Sequence, residues 1–159
     1  MTGAFETDTR RRLGDVAGAL RDRYFVGRAA ELECFRSALQ QTVAEGPVAV
    51  LFLYGPGGVG KSSLLRQFER IAVAARATVL RLDGRGLEPT PAGVLRALRG
   101  ALDLDENADP FEVLAHLSRP VLLIDTFEVL APVDAWVREV FLPQLPADAL
   151  VVIAGRNAP

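Results

Sequence analysis

Lys61 is the only lysine among eighteen basic residues, the other seventeen being arginine. It stands in the run Gly55-Pro56-Gly57-Gly58-Val59-Gly60-Lys61-Ser62, which fits the pattern GxxxxGKS at every fixed position. The chemistry such a run supports is the holding of a phosphate chain. Glycines let consecutive backbone N–H groups converge on phosphate oxygens, and a helix starting near Lys61 adds its positive N-terminal dipole. A loop wrapped closely on phosphate has room for a compact ammonium on a flexible stem but not for a planar guanidinium fork. Lys61 is thus placed to reach β- and γ-phosphates, and the Ser62 hydroxyl to ligate Mg²⁺.

Three further residues could complete that chemistry. Asp125 follows the apolar run Val121-Leu122-Leu123-Ile124. An acid at that end of a strand can enter a Mg²⁺ shell, usually through water; a strand-capping acid is the alternative. Glu128, three residues on, is the nearest candidate for orienting or deprotonating a water, against a plain surface glutamate. Arg156 follows the last apolar run, where a guanidinium could read a γ-phosphate, or simply be exposed near a chain end. Arg85 follows an earlier run in the same way, but a salt bridge or a flexible loop explains it equally well.

These residues need a scaffold, and the hydrophobic pattern supplies one. Val48–Tyr54 is a continuous apolar run, expected of a strand buried on both faces of a parallel sheet. The glycine run follows at once, then a helix from Lys61 to about Ala75 with Leu64, Leu65, Phe68, Ile71 and Ala72 inward. Strands are expected at Thr78–Leu82, Pro120–Asp125 and Ala149–Ala154. Pro91 opens a helix through Leu102, Asp109-Pro110 reads as the cap and first residue of another, and a further helix runs from about Val133 to Leu142. Ahead of the first strand, Ala29 to about Ala44 has apolar positions at helical spacing and ends at Gly46-Pro47. Residues 1–24 form a charged, partly helical arm. Alternating strands and helices imply an α/β fold with a mainly parallel sheet of four strands and right-handed crossovers. The stop at Pro159, just past the fourth strand, suggests the front part of a larger protein.

Half of the residues are apolar and about a quarter charged, the balance of a globular chain with a real core. A net charge of −2 argues against a general nucleic-acid coat, and Arg10-Arg11-Arg12 reads as a solvated helix face. Cys34 is the only cysteine, so no intrachain disulfide forms; its neighbours suggest a small core residue. His116 has no cysteine or second histidine to share a metal with. Charges crowd the N-terminus where a signal peptide needs an apolar run, and no apolar stretch is long enough for a membrane span. A cytoplasmic chain is expected.

Phe25-Val26-Gly27-Arg28 with Glu31-Leu32 resembles the "FVGR…EL" box of the STAND class of P-loop ATPases and of related AAA+ initiator-type proteins. GPGGVGKS, LLIDTFE and VVIAGR follow in the family's order, so the resemblance covers about residues 24–157. It implies a three-layer α/β/α P-loop core over 25–159, incomplete at the C-terminus. It also implies Mg²⁺ with ATP or ADP held from Gly55 through Ser62 and Ser63, and Phe25 and Val26 against adenine with Arg28 close by. The activity implied is slow ATP hydrolysis, coupled to a switch between ADP-bound closed and ATP-bound, often oligomeric, open states. Partners would be further C-terminal regions or effector domains, with no nucleic acid or membrane bound by this segment. Two departures stand out. Many relatives have an acid directly after the strand aspartate, where this chain has Thr126; its Glu128 has a spacing like that of the NACHT branch. The family's helical and winged-helix regions, which close over the nucleotide, do not follow. A nucleotide-controlled assembly module without turnover and a DNA-loading AAA+ initiator-like ATPase remain as alternatives. A small-molecule kinase would need an arginine-bearing lid, and no such insertion follows the third strand.

Overall fold

In the computed structural model, residues 28–40 and 49–157 are described. The arm over 1–24, the box residues Phe25, Val26 and Gly27, and the Gly46-Pro47 helix end lie outside the described residues. The elements are α1 (Ala29–Gln40), β1 (Ala49–Tyr54), α2 (Lys61–Ala74), β2 (Thr78–Asp83), α3 (Pro91–Ala101), α4 (Pro110–Ala115), β3 (Pro120–Asp125) and β4 (Leu150–Gly155). Between β3 and β4 runs a composite helical segment, Phe127–Gln144.

All four strands are parallel, in the order β1-β4-β3-β2. Side chains alternate across the two central strands as a period of two requires. Val121 and Leu123 of β3, with Leu150, Val152 and Ala154 of β4, meet Phe35 and Leu39 of α1 and Leu64, Leu65, Phe68 and Ala72 of α2. Leu122, Ile124, Val151 and Ile153 face the other way, onto Val94 and Leu98 of α3, Leu114 of α4, and Val137 and Phe141. Helices on both faces of a parallel sheet make the three-layer α/β arrangement. Phe35 and Phe68 stack with ring centroids 4.2 Å apart and lock α1 onto α2.

Local chemistry fixes the element ends. Thr90 accepts a hydrogen bond from Gly93 N and Pro91 takes the first turn of α3, while Asp109 and Pro110 play the same parts in α4. Both α2 and α3 close in Schellman turns. Ala77 N donates to Ala72 O and Arg76 N to Val73 O; Leu104 N donates to Arg99 O and Asp103 N to Gly100 O. The left-handed residues there are Arg76 and Asp103, not glycines.

Three expectations need correction. β1 is not buried on both faces: it is an edge strand among the described residues, its positions from Val50 to Leu53 are half-buried, and Tyr54 is exposed. β3 and β4, between neighbours on both sides, are the buried strands. Cys34 is exposed, because α1 turns its inward stripe through Phe35 and Leu39, one position away. The segment expected to be one helix from Val133 starts earlier, as a 3₁₀ turn at Phe127–Val133, and passes through a π turn at Val137–Phe141. Pro132 inside the first part lacks the N–H that a regular α-helix would use.

Candidate functional site

The glycine run forms the turn between β1 and α2. Gly55, Gly58 and Gly60 have φ of 149°, 83° and 90°, a region costly for any residue with a Cβ. Gly60 caps α2, and its carbonyl accepts from Leu64 N at 2.9 Å. Lys61 is the first residue of α2, and Ser62 and Ser63 follow in the same turn, all half-buried. The Lys61 ammonium lies across the loop, donating to Gly55 O at 2.6 Å and Pro56 O at 2.9 Å. Arg28, just before α1, reaches the same loop: Nη2 donates to Val59 O at 2.6 Å and Nη1 to Glu31 Oε1 at 3.0 Å. The described part of the box therefore touches the loop; Phe25 and Val26 lie outside the described residues.

Asp125 ends β3 and is the one buried charged residue among the described residues, 3 % exposed. Its Oδ1 accepts from Thr126 N at 2.9 Å, while Oδ2 is buried without a hydrogen-bond partner. Thr126 holds φ 55°, ψ 43°. A left-handed conformation costs an ordinary residue about 1–2 kcal/mol, and a β-branched one is a genuine outlier there. Gly84, at the end of β2, makes this corner fit. A Cβ on it would lie 2.4 Å from Thr126 O.

Glu128 sits on the first turn after Thr126. Its Oε1 accepts from Arg156 Nε at 3.0 Å, and its Oε2 is buried without a partner. Gly155, at the end of β4, lies beside this carboxylate, with a Cβ position 3.6 Å from Oε2. The Arg156 guanidinium also borders the glycine loop, with Nη2 3.8 Å from where a Gly57 Cβ would be. Glu128, Arg156 and the loop, far apart in sequence, thus converge because β4 runs between β1 and β3. A cavity of about 270 Å³ beside them is lined by Phe52, Tyr54, Phe127 and Arg138 as well as Glu128 and Arg156.

Arg85 has the salt bridge weighed as one explanation for it. Its Nη2 donates to Asp83 Oδ2 at 2.6 Å, and its backbone N caps the same carboxylate at 3.1 Å. These hydrogen bonds hold the Asp83 carboxyl below its ordinary range against the opposing effect of burial, and raise Arg85 above its own. One residue had no part in the sequence reading. Arg81, on β2, places Nη2 3.6 Å from Asp125 Oδ2 and Nη1 3.2 Å from Glu69 Oε2 on α2. A basic residue inside the otherwise apolar stretch Val79–Leu82 was the signal for it.

For a hard divalent cation the arrangement offers oxygen donors only, the Ser62 hydroxyl and Asp125 Oδ2, which accepts no hydrogen bond. That set suits Mg²⁺ completed by phosphate oxygens and water, not a softer metal. No cluster of three or more His, Cys, Asp or Glu able to hold a metal by itself occurs among the described residues. Among them, too, no helix is long and apolar enough to cross a membrane. His116 is exposed at the end of α4, its Nδ1 2.7 Å from Glu112 O.

Residues 24–122 match the family model described as AAA ATPase domain. Several solved structures share the fold. Cdc6p from Pyrobaculum aerophilum aligns with TM-score 0.62 and 17% identity over 83% of this chain and 39% of its own. AMPPCP-bound DnaA from Aquifex aeolicus gives TM-score 0.53 and 18% identity, over 86% of this chain and 41% of its own. Drosophila ORC bound to poly(dA/dT) DNA and Cdc6 gives TM-score 0.59 and 18% identity, over 91% and 27%. The chain thus spans about two fifths or less of the length of these structures. No curated protein matches it.

Proposed function

The chain belongs to the AAA ATPase domain family, and from that premise we propose that it is the nucleotide-binding core of a STAND-type switch. In this reading it binds Mg·ATP, hydrolyses it slowly, and passes the difference between ATP and ADP to attached effector regions. The core would span 25–159, preceded by the arm over 1–24. The observation that carries the reading is the position of Lys61. Its ammonium bridges the carbonyls of the glycine turn at the start of α2, at the same C-terminal end of the sheet where β3 delivers Asp125 Oδ2, buried and without a hydrogen-bond partner.

Each residue then has a task. The backbone N–H groups from Gly57 to Lys61 cradle the phosphates, and Lys61 exchanges carbonyl partners for β- and γ-oxygens. Ser62 and Asp125 would hold Mg²⁺, which supplies charge neutralisation across the β- and γ-phosphates. Glu128 orients the attacking water or takes its proton, and the buried position of Oε2 favours a specific partner over bulk solvent. Arg156, beside Gly57, reads the γ-phosphate. Arg28 reaches the loop at Val59, close to the nucleotide as this reading requires, and Phe25 and Val26 are assigned to the base by the family resemblance alone.

A DNA-loading role is the second reading, favoured by fold neighbours such as DnaA and the DNA-bound ORC. At 17–18% identity that likeness speaks to fold. Thr126 stands where an acid is expected in such enzymes. The experiment that tests the ATP-switch reading, and separates it from an assembly module without turnover, is competition for a fluorescent ATP analogue, followed by phosphate release. Displacement by ATP but not GTP, with slow release, supports the switch; equal displacement by GTP contradicts it. Binding without release identifies an assembly module instead.

A further inference from the structure

Arg81 is the one charged side chain within β2 before its terminal Asp83. It lies on the α2 side of the sheet, because its register partner is Leu123 and Asp83 pairs with Asp125. Arg81 and Asp125 are therefore diagonal neighbours, close enough for a long side chain to bridge. The guanidinium spans two acids on two elements. Nη1 donates to Glu69 Oε2 at 3.2 Å, and Nη2 stands 3.6 Å from Asp125 Oδ2. The second distance is an ion pair without a made hydrogen bond, which leaves Oδ2 buried and free to accept. A planar fork can hold both acids at once; a lysine at this position could not do so in the same geometry.

We propose that Arg81 is a positioning residue that sets the divalent-cation affinity of the site; this rests on the Mg·ATP reading above. Anchored on α2 through Glu69, it stands beside Asp125 Oδ2 and confronts any cation arriving there with a fixed positive charge. Arg81 places a counter-charge beside this buried carboxylate before metal binds, and the metal must then share the carboxylate with it. The consequence is a deliberately weakened site, in which Mg²⁺ is retained only when phosphate oxygens add their own charge.

The test is the Mg²⁺ concentration that gives half-maximal enhancement of binding of a fluorescent ATP analogue. It is measured in wild type, Arg81→Gln, Arg81→Met and Arg81→Lys, with circular dichroism to establish folding. The neutral variants should need about ten- to thirtyfold less Mg²⁺, the effect of removing one unit charge a few ångströms from a divalent ion in a polar setting. Arg81→Lys cannot span both acids but keeps the charge, so it should stay closer to wild type in its Mg²⁺ requirement than either neutral variant. Either neutral variant that folds suffices, since glutamine and methionine perturb packing differently. An unchanged or higher Mg²⁺ requirement in a neutral variant overturns the role of Arg81 while leaving nucleotide binding intact. No nucleotide binding in wild type at any Mg²⁺ concentration overturns the underlying reading, and this inference with it.

Discussion

Replacing Arg156 by alanine should separate ATP from ADP. The Arg156–Glu128 pair has a 3.0 Å contact but its arginine side chain is 66% exposed and its glutamate 23%. A pair that open to solvent contributes roughly 0–1 kcal/mol. A charge-assisted hydrogen bond to a γ-phosphate oxygen contributes about 1.5–3 kcal/mol. Exchanging the first for the second leaves a net preference for ATP of about 0.5–3 kcal/mol, centred near 1.7 and so a factor of roughly twenty in affinity. Arg156→Ala should therefore weaken ATP binding by about that factor and leave ADP within about twofold, since ADP has no γ-oxygens to lose. Displacement titrations of a fluorescent nucleotide by ATP and by ADP, on both proteins, measure the ratio directly. Equal losses for the two nucleotides would make Arg156 a general phosphate contact. No loss for either would make it a surface arginine that merely pairs with Glu128, and the γ-phosphate argument would fall.

Glu128→Gln should keep ATP affinity and slow phosphate release by about 10²–10⁴-fold, the usual range for a lost general base; unchanged turnover would move that role elsewhere. Gly84→Ala puts a Cβ 2.4 Å from Thr126 O. It should cost about 1–3 kcal/mol and lower Tm by roughly 3–10 °C in a thermal melt, whereas an unshifted melt would show that the corner can relax. Asp83 has a folded-state pKa below its unfolded value, so its contribution to stability is complete above about pH 4 and is lost as pH falls through the lowered value. Asp83→Asn should therefore flatten the acid limb of the stability curve below about pH 4, read by urea denaturation at several pH values, and leave its shape near pH 7 unchanged.

Much of this was legible because the signals are local. The glycine run, Lys61 and the helix they start are contiguous, and Asp125 is marked by the four apolar residues before it. Proline and capping residues placed the starts of α3 and α4. What escaped depends on neighbours that no local window contains. The half-burial of β1 follows from strand order, which puts it at an edge and β4 in the middle. Cys34 missed the core by the rotation of one helical residue. The ends of α2 and α3 are turned by Arg76 and Asp103 in a conformation usually signalled by glycine. Arg81 was one of seventeen arginines, and only the register of β2 on β3 brings it to Asp125. Likewise, the Glu128–Arg156 contact spans 28 residues and exists because β4 returns beside β3.

The central claim is that the turn between β1 and α2 holds the phosphates of a nucleotide through Lys61. Calorimetric titration of ATP with Mg²⁺ into wild type and Lys61→Ala tests it most directly. Among the described residues Lys61 donates to two carbonyls of its own loop, so its removal should cost the fold little. The loss should appear in binding, at about 1.5–3 kcal/mol for one charge-assisted contact, or roughly tenfold to more than a hundredfold in Kd. Equal ATP affinity in the two proteins, both folded, would contradict the account.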